Sequence, residues 1–294
     1  MGPGITVGSE YGYLLKVYVA MLLFALKRTC VTREDLLSWF FMLSAPLLYV
    51  LGFKGELRTP VGRLLVANRA ILRSFVYGFF KTHFAYMHEL RALLPMDSFF
   101  LVVVDVGANI GDFTLAMRNL AGRIVAVEPA EENFSALTAN LRVNNVNNVV
   151  PVKLAAHDRE EEVFLQGESS DMYVARGKKG QSVRGMPLDL IFRRLGIRSA
   201  DLVKIDVQGH ERLVLSGMHG LLKGKSVKFL IVEVHLKRGV SVDVVVSFMQ
   251  AHGYRLIHKD AYLFDQPYLY FTPAVGSFLR DDKHLAVKDG KKVK

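Results

Sequence analysis

Cysteine is almost absent from this chain of 294 residues, which contains only Cys30. A single cysteine excludes an intrachain disulfide framework and any zinc site built from several thiolates. Such sparse use of cysteine is typical of a reducing compartment, so we expect the protein in the cytoplasm. No Lys or Arg occurs in residues 1–15, which argues against a cleaved secretion signal.

Acidic residues are also few, since 28 Asp and Glu stand against 38 Lys and Arg and give a formal net charge of +10. This excess favours acidic partners but does not choose among phosphorylated or carboxylated substrates, anionic lipid headgroups and nucleic acid. Mean hydropathy is +0.22 and 51% of the residues are hydrophobic. The composition therefore predicts a folded protein with some apolar surface that meets a membrane or a partner.

Residues 1–95 lack the alternation of strands, glycine turns and helices that follows, and predict a mainly helical accessory region. Residues 36–53 contain no charged side chain. The length of this stretch is at the short end of the roughly 17 to 25 residues that a membrane-spanning helix needs. We expect residues 11–53 to pack on the domain that follows or in a homodimer, to lie on the inner membrane surface, or to span the membrane. A strand hairpin is expected near 55–66 and a helix over 70–94.

Residues 96–275 predict one α/β domain. Strands are expected at 100–106, 123–128, 149–155, 202–206, 229–234, 254–258 and 268–272, with no helix between the last two. This order predicts right-handed crossovers and a mostly parallel seven-stranded sheet with helices on both faces and an antiparallel last strand. Residues 276–294 predict a basic, solvated tail.

A glycine-rich turn follows the first strand of this domain, in the sequence Asp105-Val-Gly-Ala-Asn-Ile-Gly111. Gly107 and Gly111 allow the backbone to approach a ligand closely, and the helix that follows offers unpaired amides to a carboxylate or phosphate. The G-x-G-x-x-G spacing of dinucleotide sites is missing. Because Asp105 would repel a pyrophosphate but could pair with an ammonium group, the turn favours an amino-acid-bearing cofactor over a nicotinamide one.

Polar residues also end three later strands of the domain. Glu128 ends the second strand, where a carboxylate can accept hydrogen bonds from ribose hydroxyls. Asp206 and Gln208 follow the fourth strand, and His235 follows the fifth. Ligands of open parallel sheets bind beyond the carboxyl ends of the strands, so we expect these side chains to converge near the cofactor.

Taken together, these motifs resemble the FkbM family of class I methyltransferases. The matching blocks, in the family's order, are Asp105-Val-Gly-Ala-Asn-Ile-Gly111 with Phe113-Thr114, Val127-Glu128-Pro129 with Asn133, Pro187-Leu188-Asp189, Lys204-Ile-Asp-Val-Gln-Gly-His-Glu211 and Glu233-Val-His235. The resemblance implies a Rossmann-like fold, S-adenosylmethionine as cofactor and methylation of hydroxyl groups on sugars or other small molecules. Gln208 stands where the family usually has Glu, which puts any role of that carboxylate as base or metal ligand in doubt.

The resemblance also implies binding roles for individual residues. The methionine part of the cofactor falls to Asp105, Gly107, Asn109 and Gly111, and the ribose to Glu128. His157 and Asp158, which come just after the third strand, are expected near the adenine.

Transfer of a methyl group to a hydroxyl requires a residue that removes the proton. We expect His235 or Asp206 in this role, with His210 and Glu211 as second choices. Alternatively, a divalent cation held by Asp206, Glu233 and His235 lowers the hydroxyl pKa, although the residues favour a metal-free site.

Residues 168–184 are rich in glycine, serine and basic side chains and predict a mobile substrate loop. Lys178, Lys179 and Arg184 of this loop, together with Gln208, would receive an anionic hydroxyl acceptor. A solvated basic loop without a ligand is the alternative.

Three other functions remain open at this stage. Nucleic acid methylation fits the net charge, but there is no Asn/Asp-Pro-Pro-aromatic tetrapeptide and Cys30 lies far from the domain. A noncatalytic, membrane-associated scaffold would explain Gln208 and the apolar N-terminal region. A nicotinamide oxidoreductase is opposed by the spacing of the glycine turn.

Overall fold

The computed structural model describes residues 44, 48–49, 51–59, 61–95, 98–167, 171–175, 177–260 and 266–275, with the backbone alone described at 77, 80 and 83–85. Most of the apolar stretch 11–53 and the basic tail 276–294 therefore lie outside the described residues. No helix in the described part is both long and apolar enough to cross a membrane.

A seven-stranded sheet forms the centre of the domain. Its strands are β3 (Phe100–Val106), β4 (Ala121–Val127), β5 (Val149–Val152), β10 (Ala200–Ile205), β11 (Val227–Glu233), β12 (Tyr254–Lys259) and β13 (Tyr268–Pro273). They lie in the order β12-β13-β11-β10-β3-β4-β5, and only β13 runs antiparallel to its neighbours. The Rossmann-like α/β fold, with its antiparallel last strand, is confirmed.

Helices cover both faces of this sheet because its strands are apolar on both sides. On one face, Val104, Val203 and Val232 pack with side chains of α5 (Leu188–Arg194), α6 (Glu211–Ser216) and α8 (Val242–Ala251). On the other face, Val103 and Leu202 pack with α2 (Met87–Leu93) and α3 (Asp112–Met117). The remaining helices are α1 (Arg69–Phe80), α4 (Glu131–Val143) and α7 (His219–Lys223).

The described N-terminal residues pack on the domain. A hairpin of β1 (Gly55–Thr59) and β2 (Gly62–Val66) lies at the position expected from the sequence, although Pro60 of its turn lies outside the described residues. Helices α1 and α2 follow, joined by a π-helical turn, Lys81–Tyr86. The expected helix over 70–94 is therefore present with one local change of winding.

Between β5 and α5 the chain forms a second, four-stranded sheet. It contains β6 (Ala155–Ala156), β7 (Glu161–Gln166), β8 (Tyr173–Ala175) and β9 (Gln181–Met186), in the order β6-β9-β7-β8. The mobile loop expected over 168–184 is in its described part largely strand, because β9 pairs with both β6 and β7. Sequence alone did not indicate this sheet, since its strands are short and its composition is polar.

Candidate active site

A cleft of about 840 Å³ lies at the carboxyl ends of β3, β4 and β10. This volume includes space that is open to solvent. Its walls come from the sheet, from helix α1 with the π-helical turn, and from the small sheet. The polar side chains that line it are Lys81, Tyr86, Asn109, Asp112, Glu128, Asn133, Tyr173, Lys204, Asp206, Gln208 and His210.

The glycine turn forms the floor of the cleft. Gly107 has a φ of +79°, and a Cβ atom there would lie 1.8 Å from the carbonyl oxygen of Asp206, so only glycine fits. Asn109 also has a positive φ, of 51°, and its side-chain Oδ1 is buried without a hydrogen-bond partner among the described residues. Gly111 does not line the cleft, since it faces Leu137, which a Cβ would meet at 2.6 Å. The expected ligand contact of Gly111 is thus replaced by a packing role.

Asp105 lies inside β3 and is completely buried, so it does not reach the cleft. Its carboxylate accepts hydrogen bonds from Lys204 Nζ at 3.0 Å and from Thr114 Oγ1 at 2.7 Å. The structure thus pairs Asp105 with the Lys204 ammonium, in the position where the sequence led us to expect a ligand ammonium. Lys204 itself lines the cleft and donates to the carbonyl oxygen of Gly107 at 3.2 Å.

Glu128 is buried and lines the cleft, where the sequence placed it. Its two carboxylate oxygens accept hydrogen bonds from the backbone amides of Asn109 at 2.8 Å and Ala130 at 2.9 Å. Burial raises the pKa of Glu128 to about 7, against the effect of these two amides. Glu128 thus faces the cleft beside the glycine turn and changes its protonation state near neutral pH.

Asp112 is a cleft residue that the sequence did not single out. It opens α3, and its carboxylate accepts a hydrogen bond from Thr82 Oγ1 at 2.7 Å. Gly78 of α1 makes room for it, because a Cβ there would lie 2.6 Å from Asp112. Burial raises the pKa of Asp112.

A cluster of opposite charges adjoins the cleft, which Lys81, Tyr86 and Asp206 of the cluster line. Lys81 Nζ lies 2.8 Å from Glu233 Oε1, 3.0 Å from Glu233 Oε2 and 3.4 Å from Asp206 Oδ2. Tyr86 donates its hydroxyl hydrogen to Glu233 Oε2 at 2.8 Å. Burial disfavours ionisation of Asp206, but Lys81, Lys204 and His235 outweigh it and hold the pKa of this carboxyl well below its usual range. Asp206 is therefore an ionised carboxylate.

His235 lies behind this cluster and does not line the cleft. Its Nδ1 is 2.6 Å from Glu211 Oε1, and its Nε2 is 3.6 Å from Asp206 Oδ1. Burial favours the neutral ring, but Glu211, Glu233 and Asp206 together raise the pKa of His235. Because His235 is buried and does not line the cleft, the structure does not place it where it could take a proton from a ligand. Glu211 is also fully buried and holds His235 rather than a ligand.

His210 does line the cleft, where it begins α6. Burial and the neighbouring His157 lower the pKa of His210 to about 4, so the ring is neutral at pH 7. Its Nε2 is buried and has no hydrogen-bond partner among the described residues. Among the four expected catalytic residues, His210 thus combines access to the cleft with a neutral, unpaired ring nitrogen.

His157 and Asp158 do not line this cleft, whereas the two preceding residues, Ala155 and Ala156, do. His157 Nδ1 lies 2.5 Å from Asp158 Oδ1, and its ring centroid is 4.9 Å from that of His210. The residues that line the cleft here thus lie two positions earlier in the chain than the expected adenine contacts.

A second pocket of about 1,400 Å³ adjoins the cleft. The two share Tyr173, Val174, Gln208 and His210 as lining residues. Gln208 has a φ of +54° and donates from Nε2 to Asp206 Oδ1 at 3.4 Å. This position therefore connects the two spaces and contacts the charged cluster.

The three basic residues expected to bind substrate are separated by the structure. Lys178 lines the second pocket. Lys179 is exposed beside it and lines neither space. Arg184 lies in β9 and pairs with Glu160 at 3.3 Å, away from both spaces.

The donor atoms of Asp206, Glu233 and His235 lie within 4.8 Å of one another, close enough to hold a metal ion. The Lys81 ammonium occupies the space beside two of these residues, which opposes a divalent cation there. Sequence reasoning missed both Lys81 and the role of Lys204. Signals existed, since Lys81 is the only Asp, Glu, Lys or Arg between Arg73 and Glu89, and Lys204 interrupts an otherwise apolar run.

Comparison with known proteins identifies the family of this chain. The family model described as the methyltransferase FkbM domain matches residues 105–256, about half of the chain. The chain is 28% identical over 245 residues to the 31-O-demethyl-FK506 methyltransferase FkbM of Streptomyces tacrolimicus, covering 71% of the chain and 92% of that protein.

Other similarities are partial. The chain is 30% identical over 219 residues, 58% of its length, to the antimetabolite synthetase AmbE of Pseudomonas aeruginosa, of which it spans only 10%. It is 27% identical over 137 residues to the hexuronic acid methyltransferase AglP of Haloferax volcanii, covering 46% of the chain and 56% of AglP. A crystal structure of a methyltransferase FkbM from Methylobacillus flagellatus KT superposes with a TM-score of 0.46 at 15% identity, covering 80% of this chain and 60% of that one.

Proposed function

The chain belongs to the FkbM family of methyltransferases, and from this premise we propose that it methylates a hydroxyl oxygen of a sugar or other small molecule, with S-adenosylmethionine as the methyl donor. Two relatives support an oxygen acceptor of this class by their names, a 31-O-demethyl-FK506 methyltransferase and a hexuronic acid methyltransferase. The observation that carries the proposal is the neutral, unpaired imidazole of His210, which lies where the cofactor cleft meets the second pocket.

The residues of the cleft fit this cofactor. The Gly107 turn leaves the backbone open to a ligand, and Asn109 Oδ1 is a buried acceptor without a partner among the described residues. We assign the ribose hydroxyls to Glu128 and the adenine side to Ala155 and Ala156. The cleft carboxylate of Asp112 takes the place of Asp105 as the partner for the ammonium group.

When bound, S-adenosylmethionine supplies a methyl group on a sulfonium sulfur. Methyl transfer forms a bond from the acceptor oxygen to the methyl carbon as the carbon–sulfur bond breaks, and it releases the hydroxyl proton. The protein must therefore align the acceptor and take up one proton. We assign the proton to His210 Nε2, which is neutral at pH 7. Asp206 remains ionised, and we assign it to the acceptor's orientation rather than to proton removal.

The second pocket is the proposed acceptor site. The Arg238 guanidinium stacks on the Tyr173 ring at 3.9 Å, so one wall combines an aromatic face with a cation. Within the described part of the chain, neither Arg238 nor Lys178 forms an ion pair with a carboxylate. Glu161 and Glu162 also line this pocket, and Glu161 pairs with Arg159. Lys178 and Arg238 therefore leave a small excess of positive charge over Glu162, which favours an acceptor that carries a carboxylate or phosphate.

The test measures transfer of tritium from methyl-labelled S-adenosylmethionine to simple glycosides of glucuronic acid and of glucose. We expect a labelled methyl ether on the uronide and a fall of about 100-fold or more for His210→Asn, with cofactor binding unchanged. His219→Asn, on the surface helix α7, is the matched control. Label on RNA instead of the glycosides, or full activity of His210→Asn, would contradict the proposal.

A further inference from the structure

Lys81 reaches the centre of the site from outside the matched family domain. It lies in the N-terminal helical segment, 24 residues before the matched range begins at Asp105. Its ammonium nonetheless contacts both oxygens of Glu233 and one oxygen of Asp206, at 2.8, 3.0 and 3.4 Å. The charged centre is therefore completed by a residue that the family motifs do not include.

The π-helical turn explains how this contact forms. Hydrogen bonds from residue i to i+5 widen the helix, so residues five apart come closer to the same face than in an α-helix of 3.6 residues per turn. Lys81 and Tyr86 are five apart and are the first and last residues of this turn. Both contact the Glu233 carboxylate. The local change of winding thus aims two donors at one buried acceptor.

The donor set around Lys81 has the chemistry of a divalent cation site. Two carboxylates and an imidazole offer oxygen and nitrogen ligands within 4.8 Å of one another. His235 is oriented by Glu211 at 2.6 Å, as metal-binding histidines are oriented by a carboxylate behind them. Such buried carboxylates require a cation, because an uncompensated buried charge is costly. The ammonium of Lys81 meets this requirement with three donors.

We infer that Lys81 is the resident cation of the Asp206–Glu233–His235 cluster and the positioning residue that fixes Asp206 beside the reacting groups, in place of a divalent metal ion. Lys204 does not duplicate this role, since it pairs with Asp105 at 3.0 Å and stays 4.0 Å from Asp206. The part of the inference that concerns Asp206 rests on the proposed function. The part that concerns the cation does not.

The first experiment measures binding of Co²⁺ alone by visible absorption and by metal analysis after dialysis, in the full-length protein and three variants. We expect no stoichiometric Co²⁺ in the unmodified protein, about one equivalent in Lys81→Met, whose apolar side chain vacates the cation position, and none in Lys81→Met with Glu233→Gln. Stoichiometric Co²⁺ in the unmodified protein would overturn the inference, if EDTA removes it and cofactor binding is lost with the metal. Lys81→Arg keeps the charge and provides a folded comparison, in which we expect no Co²⁺ site.

The second experiment tests positioning. Lys81→Ala should bind S-adenosylmethionine but transfer methyl groups slowly, and added methylammonium should restore the rate with saturation. A lysine that served only folding would give no such rescue, and its absence in a folded Lys81→Ala protein would contradict the positioning role. Because the Co²⁺ readout requires no methyl transfer, it separates failure of this inference from failure of the proposed function.

Discussion

Two residues of the cleft offer polar groups to a ligand, and burial makes the charged form of each group unfavourable. Glu128 is the clearest case, because its carboxyl group is buried and its pKa lies near 7 rather than at 4.5. His210 shows the opposite shift, to a pKa of about 4. Both groups favour the uncharged form in the folded protein. At neutral pH the burial of Glu128 therefore lowers the stability of the fold at a site that serves binding.

The pKa of Glu128 gives a pH dependence of stability. Since the folded-state pKa is raised, its stabilising effect is present below pH 4.5 and is lost as the pH rises through about 7. The unmodified protein should therefore lose up to about 3 kcal/mol relative to Glu128→Gln between pH 4.5 and pH 8. Urea unfolding of both proteins across this range measures the difference. A constant difference would show that folding does not raise the pKa of Glu128.

Alanine substitutions at Gly107 and Gly196 distinguish the cost of backbone strain from the cost of a steric clash. Both have positive φ angles, of 79° and 66°, but only a Cβ at Gly107 meets another atom, the Asp206 oxygen at 1.8 Å. We expect Gly196→Ala to cost about 1 kcal/mol and Gly107→Ala about 3 kcal/mol or more, with loss of cofactor binding. Thermal unfolding with calorimetric titration distinguishes the two. Equal costs would contradict the close approach of β10 to the glycine turn.

At the scale of elements, two asparagine side chains at the end of helix α4 form hydrogen bonds with the backbone of the edge strand β2. Asn144 accepts a hydrogen bond from the Arg63 amide at 2.8 Å and donates one to the Arg63 carbonyl at 2.6 Å. Asn140 accepts one from the Leu65 amide at 2.8 Å. Two amide side chains thus satisfy backbone groups that would otherwise be unpaired at a strand edge.

This arrangement predicts a local cost for its removal. Asn144→Ala deletes an acceptor and a donor of the Arg63 backbone and should destabilise the protein by about 1 to 3 kcal/mol. Ser135→Ala, at an exposed position of α4, is the control and should change stability by less than about 0.5 kcal/mol. Chemical denaturation gives both values. A control-like result for Asn144→Ala would mean that water replaces both bonds.

Sequence predicted the elements of the main sheet well because their signals are local. The apolar run before Asp105 and the glycines after it specify a strand and a turn wherever they occur. It did not predict the π-helical turn or the small sheet, since both depend on contacts with distant residues. For the same reason it placed Asp105 at a ligand and overlooked Lys204, whose mutual contact exists only after β3 and β10 pair.

For the whole molecule, the predicted boundary at residue 96 separates parts that share one core. Phe75 and Phe79 of α1 pack with Ala108 and Leu137 of the domain, and Lys81 completes the charged cluster. A shortened chain of residues 96–294 should therefore expose apolar surface, aggregate and fail to bind cofactor. Size-exclusion chromatography tests this directly. A monomeric shortened chain with normal cofactor affinity would show that the N-terminal helices are dispensable.

The central claim, a methyltransferase cleft organised around Glu128, is tested most directly by calorimetric titration with S-adenosylmethionine at pH 8. We expect one equivalent to bind to the unmodified protein and to Glu132→Ala, an exposed glutamate of α4, and binding to be lost in Glu128→Ala. Equal affinity of Glu128→Ala, or no binding by a folded unmodified protein, would contradict the account.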